Sequence, residues 1–244
     1  MKPWFFLILC LCAFPLRGFA AGELLTAEAD QLFARRDEVQ SLERAIQLVN
    51  EALVKDASAY DLQWRLARLK YYLADRAESE AQKLYLLKEA RENAEKAVEI
   101  NPRGPEGHFW QAATLGGYAE KKGILASLRS LPIIRQGFEN VLKLAPAYEH
   151  GSAFLALGEM FLRLPSILGG DNRRGLELLE NGLKIAPENH EIKLKLASVY
   201  LQKKRPAEAR QLLVRILKET DPALTARETA EIRAEAQKAL KKIG

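Results

Sequence analysis

From residue 22 onward apolar residues recur at spacings of three, four and seven, as in Leu176, Leu179 and Leu183, or Leu213, Ile216 and Leu217. That period gathers them on one face of an α-helix, and the strict alternation that marks a strand is nearly absent. Asn101-Pro102, Ala145-Pro146, Ala186-Pro187 and Asp221-Pro222 each close such a segment. Proline does this because it lacks the amide hydrogen and crowds the preceding turn. The pattern predicts a succession of short amphipathic helices, with further helices over 41–57 and 58–76 and a polar-faced closing helix over 223–243.

The small and bulky positions inside these segments are phased. Phe154, Leu157, Gly158 and Phe161 on one helix are followed by Gly175, Leu179, Gly182 and Pro187 on the next. Leu196, Ala197 and Tyr200 precede Ala209, Leu213 and Ile216 in the same order, and Ala90, Ala94, Ala97 with Pro102 and Ile134, Phe138, Val141 with Pro146 form two more second helices. This spacing resembles the tetratricopeptide (TPR) repeat, in which small residues let the two helices of a hairpin approach and bulky ones fill the groove against the next hairpin. The expected fold is all-α: a right-handed TPR-like α-α superhelix of about five helical hairpins with a C-terminal capping helix, forming a single domain over 21–244. No repeat buries its apolar face alone, so the array folds as a unit.

Two stretches depart from a plain array. Residues 116–132 and 163–171 are expected to insert longer connections between hairpin partners, and both are more apolar than a solvated loop requires. One reading is that they pack the end or the concave wall of the solenoid, with Asp171 capping the next helix. The other is that Tyr118, Ile124, Leu125, Leu128, Pro165 and Leu168 line an apolar cavity or groove, joined by Trp110, which lies close in sequence to Gly116-Gly117.

Trp64-Arg65-Leu66-Ala67-Arg68, Tyr71-Tyr72-Leu73-Ala74-Asp75, Gly107-His108-Phe109-Trp110, Gly123-Ile124-Leu125 and Leu164-Pro165-Ser166-Ile167-Leu168-Gly169-Gly170-Asp171 together resemble the T-component family of TRAP transporters, over about residues 60–220. The resemblance implies a periplasmic protein that associates with the solute-binding protein of a TRAP-type uptake system and encloses an apolar pore or pocket. It adds Gly169, Gly170 and Asp171 to the candidate binding residues, with an apolar or organic-acid small molecule as ligand. The alternative is a general periplasmic TPR scaffold for envelope or secretion complexes.

Residues 1–20 are expected to act as a cleaved signal peptide: Lys2 gives a charged start, Trp4 to Phe14 is an almost unbroken apolar run, and Gly18-Phe19-Ala20 supplies small residues before the cut. Both cysteines, Cys10 and Cys12, fall inside that run, and neither follows a small residue as a lipid-attachment cysteine would. The expectation is therefore a soluble periplasmic chain without disulfides or a lipoprotein anchor.

The chain has 37 basic and 32 acidic residues; without Lys2 and Arg17 the net charge falls from +5 to +3, too mild to imply a nucleic-acid partner. His108, His150 and His190 each follow a repeat-ending proline and offer no helical pair of metal ligands. No nucleophile elbow, phosphate-binding loop or zinc-protease motif is present, so neither an enzyme, a metal nor a cofactor is expected. The clusters Arg173-Arg174 and Lys203-Lys204-Arg205 fit helix ends or partner contacts, and self-association into a homo-oligomer is left open.

Overall fold

The computed structural model describes residues 19–243, with side chains from Leu25. The expected leader and both cysteines lie almost wholly outside the described residues. Eleven α-helices follow one another among those residues: α1 (Phe19–Ala34), α2 (Val39–Leu53), α3 (Tyr60–Asp75), α4 (Glu80–Ile100), α5 (Pro105–Lys122), α6 (Ile124–Leu144), α7 (Ser152–Arg163), α8 (Asn172–Ile185), α9 (His190–Gln202), α10 (Pro206–Lys218) and α11 (Ala226–Ile243). They pair into five antiparallel hairpins, α1–α2 through α9–α10, with α11 packed on α10 and α9. The odd-numbered helices contact one another along the array, α1 with α3, α3 with α5, α7 with α9 and α9 with α11, and supply most of its inner wall.

The phased small residues sit where hairpin partners approach. Ala90, Ala94 and Ala97 are fully buried on α4, as are Ala209 and Leu213 on α10. In the fourth hairpin Gly158 and Gly175 face each other: a Cβ on Gly175 would fall 2.7 Å from Leu162 Cγ and 2.9 Å from the Gly158 carbonyl oxygen. Bulky partners such as Leu157, Leu179, Leu196 and Ile216 close the core around them.

The first expected insertion is absent as a connection. Residues 116–122 continue α5 and 124–132 open α6, so Gly123 alone, at φ +99°, turns the chain. Gly116-Gly117 and Pro132 are helix breakers by local preference, yet tertiary packing overrides them. Gly117 lies where a Cβ would meet Leu87 and Tyr71 at 3.2 and 3.3 Å, and α6 continues through Pro132. The third hairpin is therefore longer than its neighbours.

The second connection is real. Leu164 to Asp171 holds a 3-10 turn, Ser166–Leu168, then Gly169 at φ +85°. The Gly170 amide donates to the Pro165 carbonyl and the Asp171 amide to that of Phe161. Asp171 caps α8, accepting from the Arg173 and Arg174 amides at 2.9 and 3.0 Å.

One long-range contact set gives the solenoid its shape. The Arg36 guanidinium, in the turn after α1, donates to both Glu228 carboxylate oxygens and to the Ala223 carbonyl at 2.5–3.0 Å. Beside it, Thr225 Oγ1 donates to Asp37 at 2.8 Å. The first hairpin and the closing helix thus meet, and the array forms a ring around a central hollow.

Candidate functional site

The hollow has a volume of about 710 Å³ and is walled by α3, α5, α7, α9 and the start of α11. Its floor is aromatic. Trp110, 2% exposed, packs edge-on to Phe109 at 5.1 Å and tilts against Tyr71 and Tyr72 at 5.9 and 6.3 Å, while Phe109 meets Tyr148 at 5.4 Å. The Trp110 indole N–H donates to the Tyr148 hydroxyl at 3.0 Å, so the ring is fixed at both edge and face.

Tyr148 reaches that position through an unusual turn. Between α6 and α7 three successive residues, Glu149, His150 and Gly151, take left-handed backbone angles, with φ of 46°, 51° and 75°. For a residue with a Cβ this conformation costs about 1–2 kcal/mol, and it persists only where the surroundings enforce it. Here Asn189, at the foot of α9, donates to the His150 carbonyl at 2.7 Å, and Ser152 Oγ donates to that of Glu149 at 2.6 Å. The turn aims the Glu149 carboxyl into the hollow.

Glu191, on the first turn of α9, also faces the hollow. Four other acidic groups on this wall are answered by cations, Asp75 by Arg76 and Lys83, Glu159 by Lys195, Glu228 by Arg36 and Glu231 by Arg227, while Glu120, at its exposed rim, is not. Glu149 and Glu191 have no such ion pair among the described residues. Crowding by protein atoms pushes both carboxyls above the usual carboxylate range, although Glu149 is half-buried and Glu191 stays open to the solvent of the hollow. At Glu149 the Arg68, His150 and Arg36 charges partly offset this, whereas at Glu191 the carboxylates of Glu228, Asp221 and Glu159 add to it. The hollow therefore joins an apolar floor to unbalanced negative charge.

The structure disperses the ten residues singled out from the sequence. Trp110 lies on the floor of the hollow. Tyr118, on the same helix, instead meets Arg91 and Lys122 at 4.9 and 5.9 Å. Ile124, Leu125 and Leu128 stand exposed at the tip of the third hairpin, and Pro165 and Asp171 are exposed on the α7–α8 connection, where Gly170 is half-buried. Leu168 and Gly169 line a separate cleft of about 250 Å³ with Leu131, Pro132 and Met160. Glu149 and Glu191 carry no sign in the sequence of facing the hollow, because isolated glutamates at repeat boundaries look like solvated surface; Trp110 is the floor residue that its position in the sequence does mark as a candidate.

The histidines do not converge on a metal. His108 Nε2 lies 2.8 Å from the Pro102 carbonyl, His150 Nδ1 lies 3.6 Å from Glu188, and His190 is fully buried. No group of three or more His, Cys, Asp or Glu residues able to hold a metal occurs among the described residues.

Fold and hollow define a TPR-type solenoid, and residues 167–227 match a tetratricopeptide repeat family. Over residues 25–158, more than half its length, the chain matches the family described as regulator of microtubule dynamics protein 1-3, and it belongs to that family. It is 32% identical to regulator of microtubule dynamics protein 1 of Bos taurus over 125 residues, which are 51% of this chain and 38% of the relative. It is 26% identical to regulator of microtubule dynamics protein 3 of Rattus norvegicus over 138 residues, 57% of this chain and 29% of that one. The match thus spans under two-fifths of the length of these relatives. Among solved structures, a thermophilic TPR protein of Thermus thermophilus superposes with a TM-score of 0.65 at 20% identity, covering 90% of this chain and 99% of its own. That likeness concerns the fold.

Family membership corrects the resemblance to TRAP T-components. Most of the strings that carried it fall within 25–158, the span that matches the microtubule-regulator family. The physical reason is visible in the packing: Trp64, Leu66, Ala67, Phe109 and Trp110 are buried repeat residues, and Gly169-Gly170-Asp171 builds a local turn and cap. Such residues recur wherever helical hairpins stack. The solute-binding protein named as partner rested on that resemblance and goes with it.

Proposed function

We propose that the chain is a protein-interaction scaffold that holds an extended, basic segment of a partner polypeptide in its hollow. One observation carries this reading: Glu149 and Glu191, both without an ion pair, line the same hollow of about 710 Å³ as its aromatic floor. A Lys or Arg side chain would lay its stem on Tyr71 and Tyr72, which Trp110 holds from beneath, and bring its charge to the carboxylates. TPR solenoids offer extended concave surfaces for such contacts. On this reading the hollow binds and does not catalyse.

Selection from a random peptide library tests it. Wild-type chain should enrich sequences with Lys or Arg between apolar residues, and Glu191→Lys should lose that enrichment while folding normally. Equal enrichment by both proteins, or no basic consensus, sets the reading aside.

The relatives' name connects them with microtubule dynamics, and family membership makes polymerised tubulin a second partner to test by co-sedimentation; a chain left entirely in the supernatant excludes it. Export behind a leader over residues 1–20 remains part of the proposal, and amino-terminal sequencing of the protein from its source decides whether those residues are removed.

A further inference from the structure

The turns within the third and fourth hairpins are adjacent and form one edge of the solenoid there, and both carry exposed aliphatic side chains. At the α5–α6 turn Ile124 is 79% and Leu125 69% exposed; on the α7–α8 connection Ile167 is 90% and Leu168 44% exposed. The two turns are neighbours, because Leu131 and Pro132 of α6 share a cleft with Leu164, Leu168 and Gly169. Seven residues of helix separate Ile124 from Leu131, so the third hairpin projects roughly 10 Å beyond that cleft.

Basic residues surround both tips. Lys122 and Arg129 flank the first, and Arg163, Arg173 and Arg174 flank the second, all exposed. Arg174 is engaged with Glu139, and Asp171 is turned onto its own helix as a cap. Lys121 is held by Glu80 at the base of the first tip, where Glu120 is the nearest exposed acid. No helix among the described residues is long and apolar enough to cross a membrane.

We propose that this edge docks the protein on an anionic lipid surface, with Ile124, Leu125 and Ile167 entering the headgroup layer and the flanking Lys and Arg side chains meeting lipid phosphates. Aliphatic side chains on projecting tips, ringed by cations, match such a layer, which deforms around them as a rigid protein groove does not. A second copy docked by the same face would set these cations against one another. The inference stands apart from the hollow and does not depend on what the hollow binds.

Peptide-resolved hydrogen exchange on the full chain tests it, with phosphatidylcholine vesicles that contain or lack phosphatidylserine. Residues 121–131 and 163–170 should gain protection on the anionic vesicles alone, less so at high salt. Ile124→Glu with Leu125→Glu should abolish that protection without lowering the melting temperature, since both side chains stand in solvent. Each neighbouring cation strengthens adsorption about fivefold, so Arg129→Glu should weaken vesicle binding by at least that factor. Unchanged exchange at 121–131, equal protection on neutral vesicles, or a double variant protected like wild type would overturn the proposal. Protection that grows with protein concentration in the absence of vesicles would overturn it in favour of self-association.

Discussion

Glu149 and Glu191 are held where a carboxylate is uncomfortable. Surrounding protein atoms raise both in pKa, and at the more open Glu191 neighbouring carboxylates raise it further. A carboxyl whose folded pKa lies above its unfolded value binds protons more readily in the folded chain. Its contribution to stability is therefore full at pH below the ordinary carboxylate range and is lost as pH rises through the folded value. Glu219 has the opposite sign: hydrogen bonds from Arg215 and Lys193 hold it at about 2, so its contribution is present above the ordinary value and fades as pH falls toward 2. Glu191→Gln should accordingly raise the melting temperature slightly at neutral pH, and the gain should vanish below the ordinary carboxylate range. Thermal scans across pH check this. A variant less stable than wild type at neutral pH would mean that Glu191 has a cationic partner within the fold. Neither glutamate was legible in the sequence, because a fold-back turn and the closure of the array bring them to one hollow; Trp110 was legible, because a large aromatic residue at repeat spacing has few places to go.

At the scale of the element, the helices followed from periodicity, capping and the small-residue phase, while the turns did not. Pro146 and Pro187 end helices as expected, yet Pro132 and Gly116-Gly117 lie inside them, since packing against neighbouring hairpins outweighs local preference. The role of glycine as a packing residue allows a paired test. In an open helix Gly→Ala gains up to about 1 kcal/mol. At Gly175 the added methyl would meet Leu162 and the Gly158 carbonyl oxygen at under 3.0 Å, and overpacking of that kind costs about 1–3 kcal/mol. Gly175→Ala should lower stability in urea titration, whereas Gly116→Ala, whose nearest neighbour is Ile134 Cδ1 at 3.9 Å, should leave it unchanged or raise it. The reverse order would show that the fourth hairpin is not packed through its glycines.

For the whole molecule, closure is what turns a strip of repeats into a container. The Arg36–Glu228 and Asp37–Thr225 contacts join residues about 190 positions apart, a separation no local pattern announces. They place the start of α11 against the first hairpin, so that a helix legible from the sequence as a cap also closes the wall of the hollow. Everything proposed for partner binding depends on that interior, and the most direct test is to ask where a partner touches. A photo-crosslinking residue placed at Ala113 or Ala156 faces the hollow, and one at Glu177 on α8 faces solvent on the outside. With a library-selected basic peptide, crosslinks should form from Ala113 and Ala156 and be lost when Glu191 is changed to Lys. Crosslinks from Glu177 in their place would contradict the account.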